Sequence, residues 1–424
     1  MDNKHTICLI TNWYPNKKNP VAGGFLKEQA FATADRFDYI VVHYTAKEKN
    51  PSIVYLLKCL MGKTYHLEKI NKERNTVEYN LTIDYPVFLK FANTFYDNWV
   101  KHITHKVKLG VGRYVAPITR KSREKALHTV FKNEFQDKID VLYCPDAQNE
   151  SATLRYISES LNIPFIVSEH APVPWPGTTI SDEQHDAIEH ADCFLAISYD
   201  KIRQVWLQNI KLRKYFYIGN MVQESQFHLR KGNNAEKTFI TVAAHSFYKN
   251  YDLFIRIMNR LTELAKIPFK VMIVGYAANK GYSENVEEFE NQIKASKFCN
   301  VVEMIPSVPH DQVHNYLERA DAYIMTSIQE GQPVSAMEAA ICGLPIFSTR
   351  CGGVEDYVDD SIGRIFPVCE VQEFAKSLNE YLTGAITFDS GSIREKAIKY
   401  FGEEAFRTKF MKVFDETIKR HGNC

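Results

Sequence analysis

The stretch Ser327–Glu355, SIQEGQPVSAMEAAICGLPIFSTRCGGVE, decides how the rest of this chain is read. The apolar run Ala322-Tyr323-Ile324-Met325 precedes it and predicts a buried strand. Pro333 suits the first position of a helix, where its missing N–H costs nothing. Val334 to Ile341 is rich in good helix formers, and Gly343 and Pro345 stop the helix. Leu344 to Thr349 predicts a second buried strand. Gly352-Gly353 supplies backbone that other residue types would block.

Two carboxylates frame the helix start. Glu330 lies in the loop before it and Glu338 in its second turn. The N–H groups from Gly331 to Ser335 would face a crevice above the strand ends, which suits a phosphate or diphosphate. A carboxylate one turn into the helix can accept from a pair of sugar hydroxyls, as a ribose requires, while the loop carboxylate reaches another part of the same ligand. A capped surface helix with one buried, hydrogen-bonded Glu accounts for the spacing equally well.

Glu330-x7-Glu338, with Glu330-Gly331, Glu338-Ala339, Cys342-Gly343-Leu344-Pro345 and Gly352-Gly353-Val354-Glu355, closely resembles the donor-site signature of glycosyltransferase family 4. That resemblance implies an α/β chain with the GT-B fold: two doubly wound Rossmann-like domains facing across a cleft. Residues 1–215 are expected to form the acceptor-side domain and 216–400 the nucleotide-sugar domain. Residues 401–424 are expected to form a helix that packs back on the first domain. The implied reaction is transfer of a sugar from a nucleotide diphosphate sugar to an acceptor hydroxyl, with retention.

The same resemblance assigns roles residue by residue. In Val242–Asn250, Lys249 matches a lysine that grips the donor diphosphate, while Ala244 stands where an arginine is usual. Either His245 substitutes for that cation, or donor binding or activity is weakened. The strand Pro164–Ser168 ends in Glu169-His170. A lone His there reads more often as a structural histidine, but it resembles the family's strand-end histidine that contacts the donor sugar. Gly23-Gly24, by itself a plain turn, matches a glycine loop bordering diphosphate and acceptor. Asn220 falls in a segment like the family's interdomain strand. Ser307 and Val308 fall in a loop that meets the nucleotide base. Gly331, Gln332, Pro333 and Val334 form the helix start. Glu338 is expected to hold the ribose, and His170, Lys249 and Glu330 form the expected catalytic set.

Composition sets bounds around this reading. The chain has 424 residues, enough for two domains, with 45% hydrophobic and 24% charged residues. A net charge of +1 argues against a dedicated nucleic-acid binder. The nine cysteines are scattered without a Cys-x-x-Cys pair, which suggests a reducing cytoplasm and gives zinc chemistry no support. The apolar run of MDNKHTICLITNWYP is too short for a signal peptide, and no run is long enough to predict a transmembrane helix. Neither Asp-x-Asp nor a Walker sequence occurs, so no metal or other cofactor is expected.

Elsewhere, strands are predicted at Thr6–Thr11, Tyr39–Tyr44 and Val77–Pro86, and helices at Phe25–Arg36 and, as one pattern, Ser392–Lys419. Val87 to Val115 reads as an aromatic-rich helix. Lys101, Lys106, Lys108, Arg113, Arg120, Lys121, Arg123 and Lys125 follow or overlap it, against the single acid Glu124. This fits peripheral contact with an anionic inner-membrane surface or a lipid-linked acceptor; a solvated basic face over core aromatics fits as well. The loop Ala171–Gly177, stiffened by Pro172, Pro174 and Pro176, is expected to shape the acceptor site. Bacterial surface polysaccharide synthesis is the expected setting. A non-catalytic nucleotide-sugar binder, a GT-B epimerase and a storage-glucan or disaccharide synthase are the alternatives.

Overall fold

The computed structural model describes residues 4–11, 14–15, 23–49, 57, 61, 65–86, 124–231, 236–278 and 285–421. The predicted aromatic helix and nearly all of its basic flank lie outside them. The chain divides into two units. One comprises Met1–Leu195, Val205–Phe216 and Phe410–Cys424, and the other Ala196–Gln204 and Tyr217–Lys409. The segment Ala196–Gln204 thus joins the second sheet's unit, although it lies within the stretch expected to form the first domain.

The first unit carries an eight-stranded sheet in the order β3-β4-β2-β1-β5-β6-β7-β8. Its strands are β1 (His5–Ile10), β2 (Phe37–Lys49), β3 (Tyr65–Glu73), β4 (Thr76–Pro86), β5 (Val141–Cys144), β6 (Phe165–Ser168), β7 (Cys193–Ala196) and β8 (Tyr215–Tyr217). β1 pairs in parallel with β2 and β5, and β3 runs antiparallel to β4. Sequence reading missed β3. Its side chains are mostly exposed, so no alternation of apolar residues marks it. It also missed the helix Asp182–Glu189, whose start is fixed by a capping box between Ser181 and Gln184.

The second unit is a six-stranded sheet of β9 (Lys237–Val242), β10 (Phe269–Val274), β11 (Val302–Ile305), β12 (Ala322–Met325), β13 (Ile346–Thr349) and β14 (Gly363–Phe366). The order β11-β10-β9-β12-β13-β14 reverses direction between β9 and β12, and its pairs are parallel. The central strands β9, β10, β12 and β13 are buried on both faces. Ile240, Met272, Tyr323 and Ile346 pack on one side with Val334–Ile341 and Ser390–Phe401. Phe239, Val271, Ile324 and Phe347 pack on the other with Tyr251–Leu264 and Gln372–Thr383.

The expected single tail helix is two, Ser390–Phe401 and Glu403–His421. Gly402 adopts an extended ψ of 163°, and a Cβ there would lie 2.6 Å from Ile398 O. In the first unit, Phe410 and Phe414 stack at 4.1 Å and pack on Phe37 and Tyr143. Arg36 also bonds Asp415 at 3.0 Å.

Candidate active site

In a doubly wound sheet, the loops leaving two neighbouring strands part where the strand order reverses, and ligands sit in the crevice they leave. Here those loops follow β9 and β12. The first runs through Lys249 to the helix Tyr251–Leu264, and the second through Glu330 to Val334–Ile341.

The two loops are tied together. Lys249 Nζ lies 2.6 Å from Glu330 Oε1, and Ser327 Oγ donates to the same oxygen at 2.6 Å. Ile328 N donates to Tyr248 O at 2.8 Å, and Thr326 Oγ1 to Lys249 O at 3.0 Å. The Glu330 side chain is only 12% exposed. An ammonium and a carboxylate there are mutually compensated in the absence of a third charge. Thr241, Lys249, Tyr323, Thr326, Ser327 and Ser335 share one small cavity at these strand ends. A cavity of about 880 Å³ opens at the opposite, amino ends of β9, β10 and β11. Its charges pair off as Lys270–Glu236 and Arg319–Glu303, so the smaller cavity is the one placed for chemistry.

Glycines close the other side of the Glu330 loop. Glu330 N donates to Cys351 O at 2.6 Å. Gly352 has φ +122°, and a Cβ on Gly353 would overlap Gly331 O and lie 2.8 Å from Gln332 Cα. Backbone packs directly on backbone here, which only glycine permits.

Pro333 is the residue just before the helix rather than its first turn. Its φ and ψ of −74° and 106° are extended, and its carbonyl accepts from Ala336 N and Met337 N at 3.2 Å. The amides of Val334 and Ser335 therefore lead the helix, ahead of its first internal bonds. Glu338, one turn in, is 3% exposed, and its Oε1 lies 2.8 Å from Nε2 of His310, a residue that sequence reading did not single out. His310 caps Glu338 from the exposed turn after Pro309, beside the exposed Ser307 and half-buried Val308.

Asn220 and Gln332 are brought together, but each side chain bonds the other residue's backbone. Asn220 N donates to Gln332 Oε1, and Asn220 Nδ2 to Gln332 O at 3.2 Å. Gln332 Nε2 donates to Tyr217 O–H at 3.1 Å. Both residues are nearly buried and hold the helix-start loop to the segment 217–220. Ala244 leaves its position without a cation. His245 does not stand in for one at the crevice, because its ring stacks on Phe289 at 4.5 Å and packs near Tyr251.

The first unit holds the remaining residues. His170 follows β6 and is half-buried, its ring 4.5 Å from that of Phe25. Gly23 has φ +60° and precedes the helix Gly24–Ala32, while a Cβ on Gly24 would meet nothing within 4 Å. Only Gly23 thus needs its residue type for backbone reasons. His170, Phe25 and the Gly23-Gly24 turn form one cluster at the strand ends.

Residues 223–401 match the family model "Glycosyl transferases group 1". The C-terminal part of this chain is a glycosyl transferases group 1 domain. Among curated proteins, the chain is similar to the Schizosaccharomyces pombe phosphatidylinositol N-acetylglucosaminyltransferase gpi3 subunit. The two are 29% identical over 36% of this chain and 32% of that protein. The Escherichia coli lipopolysaccharide 1,6-galactosyltransferase is 24% identical over 58% of this chain and 68% of its own length. The match takes in less than half of the first curated relatives, 32%, 45% and 26% of three of them. The solved lipopolysaccharide outer core galactosyltransferase WaaB matches 97% of this chain and 99% of its own, with a TM-score of 0.65 at 13% identity. Anabaena HepE in complex with UDP matches 97% and 100%, with a TM-score of 0.66 at 13% identity. These likenesses show that the whole chain, not the group 1 domain alone, has the GT-B fold.

Proposed function

We propose that the protein is a retaining glycosyltransferase that moves a sugar from a nucleoside diphosphate to an acceptor hydroxyl. One observation carries this reading: Lys249 and Ser327 both bond Glu330 where the strand order reverses between β9 and β12, next to the helix that buries Glu338. The Lys249 ammonium and the leading amides of Val334–Ile341 meet diphosphate charge as it develops, without calling on a resident metal or cofactor. Glu338 takes the ribose hydroxyls once His310 shares or yields its oxygen. Glu330 holds hydroxyls of the transferred sugar.

In the step itself, the bond from the anomeric carbon to the diphosphate oxygen breaks while the bond to the acceptor oxygen forms on the same face. The acceptor's proton passes to the leaving diphosphate, so no side chain has to serve as covalent nucleophile.

The acceptor we infer is a saccharide or lipid-linked saccharide of a bacterial surface polymer, made at the cytoplasmic face of the membrane. Relatives named for lipopolysaccharide and amylovoran synthesis support this class, while the phosphatidylinositol N-acetylglucosaminyltransferase relative points to a lipid acceptor. So does a surface of the first unit. Trp206, Leu207 and Tyr215 are 51%, 65% and 45% exposed, with the rings of Trp206 and Tyr215 in edge contact at 5.7 Å. Exposed Lys211 and Arg213 lie in the loop between them, a combination suited to peripheral contact with anionic lipid. No nucleic-acid partner is proposed. Among the described residues, no helix is long and apolar enough to cross a membrane.

A non-catalytic nucleotide-sugar binder is the second reading, favoured by Ala244 and by the engagement of His245 with Phe289. Calorimetry with UDP-, GDP- and ADP-sugars, then hydrolysis and transfer assays, separates the two. One donor should bind and turn over, and Glu338→Ala should weaken its binding by about tenfold or more. Failure of all three bases to bind ends the transferase reading; tight binding without turnover selects the second.

A further inference from the structure

Trp175 is a large side chain of the first unit that the mechanism leaves unused. It sits in the loop Ala171–Gly177, which leaves the carboxyl end of β6 just after His170. Trp175 is 43% exposed, a wide flat apolar surface left in water.

The loop beneath it is held from several sides. Trp175 N donates to Gln148 Oε1 at 2.7 Å, and Gln148 Nε2 donates to Pro172 O at 2.8 Å. Gln148 is only 7% exposed, and its own carbonyl accepts from Gln184 Nε2. Trp175 O accepts from both Thr178 N and Thr178 Oγ1, at 2.9 and 2.7 Å. Glu169, 1% exposed, takes Gln148 N with one oxygen at 3.2 Å and Ala171 N with the other at 2.8 Å. One buried carboxylate and one buried amide therefore fix the turn that carries His170 and the loop that carries Trp175 in a single network. These bonds reach the loop's backbone and hold in place the segment from which its largest, exposed side chain projects. A rigid aromatic surface loses little conformational freedom when a ligand covers it.

We propose that Trp175 is a stacking platform for a pyranose ring of the acceptor, an assignment that rests on the transferase reading above. A pyranose presents a face of C–H bonds that is apolar and slightly positive, and the indole face is negative. Stacking removes apolar area of both from water and leaves the hydroxyls at the ring's rim free for polar groups or for reaction. The ligand class is a saccharide with an open C–H face. Trp175 binds it and orients it; it exchanges no proton and forms no bond.

The test uses the full chain as wild type, Trp175→Phe and Trp175→Ala. Methyl β-galactopyranoside, methyl α-glucopyranoside, methyl β-N-acetylglucosaminide and maltotriose serve as probes in saturation-transfer NMR. Ring C–H protons of at least one saccharide should receive saturation from the wild type. Trp175→Phe should keep the contact with affinity reduced about threefold, and Trp175→Ala should reduce it by about tenfold or more. Calorimetry with UDP, GDP and ADP on the same samples, unchanged within about twofold among the three proteins, reports the donor site and the fold independently. Full affinity in Trp175→Ala overturns the platform. Absence of contact with every saccharide in the wild type also overturns it, whatever the nucleotide result. A Trp175-dependent saccharide signal in a protein that binds no nucleoside diphosphate leaves the platform standing and removes the transferase reading.

Discussion

At the carboxyl ends of the second sheet, polar and charged side chains bond to one another across two loops: Lys249 to Glu330, Ser327 to Glu330, His310 to Glu338. At the carboxyl end of β6 in the first sheet, rings face outward instead, with His170 against Phe25 and Trp175 open to solvent. Charge there is withdrawn beneath the surface in Glu169, bonded to backbone amides. The contrast fits a division of labour. A surface of paired charges can exchange partners with a diphosphate, whereas rings and fixed backbone suit neutral sugar.

The largest expected effect tests the charged side. Lys249→Ala should lower turnover by about 10²–10³-fold, the scale of a lost transition-state donor, with donor affinity changed far less. Steady-state kinetics on the productive donor and acceptor check this; unchanged turnover would detach Lys249 from the diphosphate. Next, Gly353→Ala should destabilise the second unit by about 1–3 kcal/mol, because its Cβ meets Gly331 O and Gln332 Cα and neither backbone can yield. Thermal or denaturant unfolding reads that loss.

A third prediction concerns acid groups near the same loop. Burial raises the Asp356 carboxyl from 3.8 to about 6, with Glu355 and Asp200 adding to the rise and the bond from Tyr199 N opposing it. Between those values, the folded protein keeps a proton that the unfolded chain releases. This group's contribution to stability therefore falls as pH rises through that window and levels off above about 6. Asp356→Asn keeps an acceptor for Tyr199 N, which now bonds Asp356 Oδ2 at 3.0 Å. It should raise Tm by roughly 2–4 °C near neutral pH and leave it unchanged in acid, below the window. The smallest effect contrasts two neighbours in the first unit. Gly24→Ala should stay within about 0.5 kcal/mol of wild type, since its Cβ meets open space. Gly23→Ala should cost about 1–2 kcal/mol, because φ is +60°.

How legible each region is from sequence follows from how it is built. Glu330, Glu338 and Gly352-Gly353 fall within one short run whose strand–loop–helix–strand order carries them to the same place. His310 could not be recognised as the cap on Glu338, because 28 residues and a strand separate the pair. Gln332 and Asn220 were read as facing a ligand. Their spacing is compatible with that, and only the folded backbone shows that they bond each other, 112 positions apart. In the first unit, Gln148 and Glu169 are ordinary polar residues until the fold buries them beneath the loop. β3 went unseen because a largely exposed edge strand carries no apolar rhythm.

Sequence alone determined the doubly wound architecture and the position of the helix that follows Glu330 and carries Glu338. Buried parallel strands, helix stops and paired glycines are local necessities of backbone geometry, written where they act. Tertiary structure decided which groups meet: Lys249 with Glu330, His310 with Glu338, the Gln148 side chain with the Trp175 backbone N–H. Hydrogen bonds form between atoms about 3 Å apart in space, and separation along the chain places almost no limit on which atoms those are.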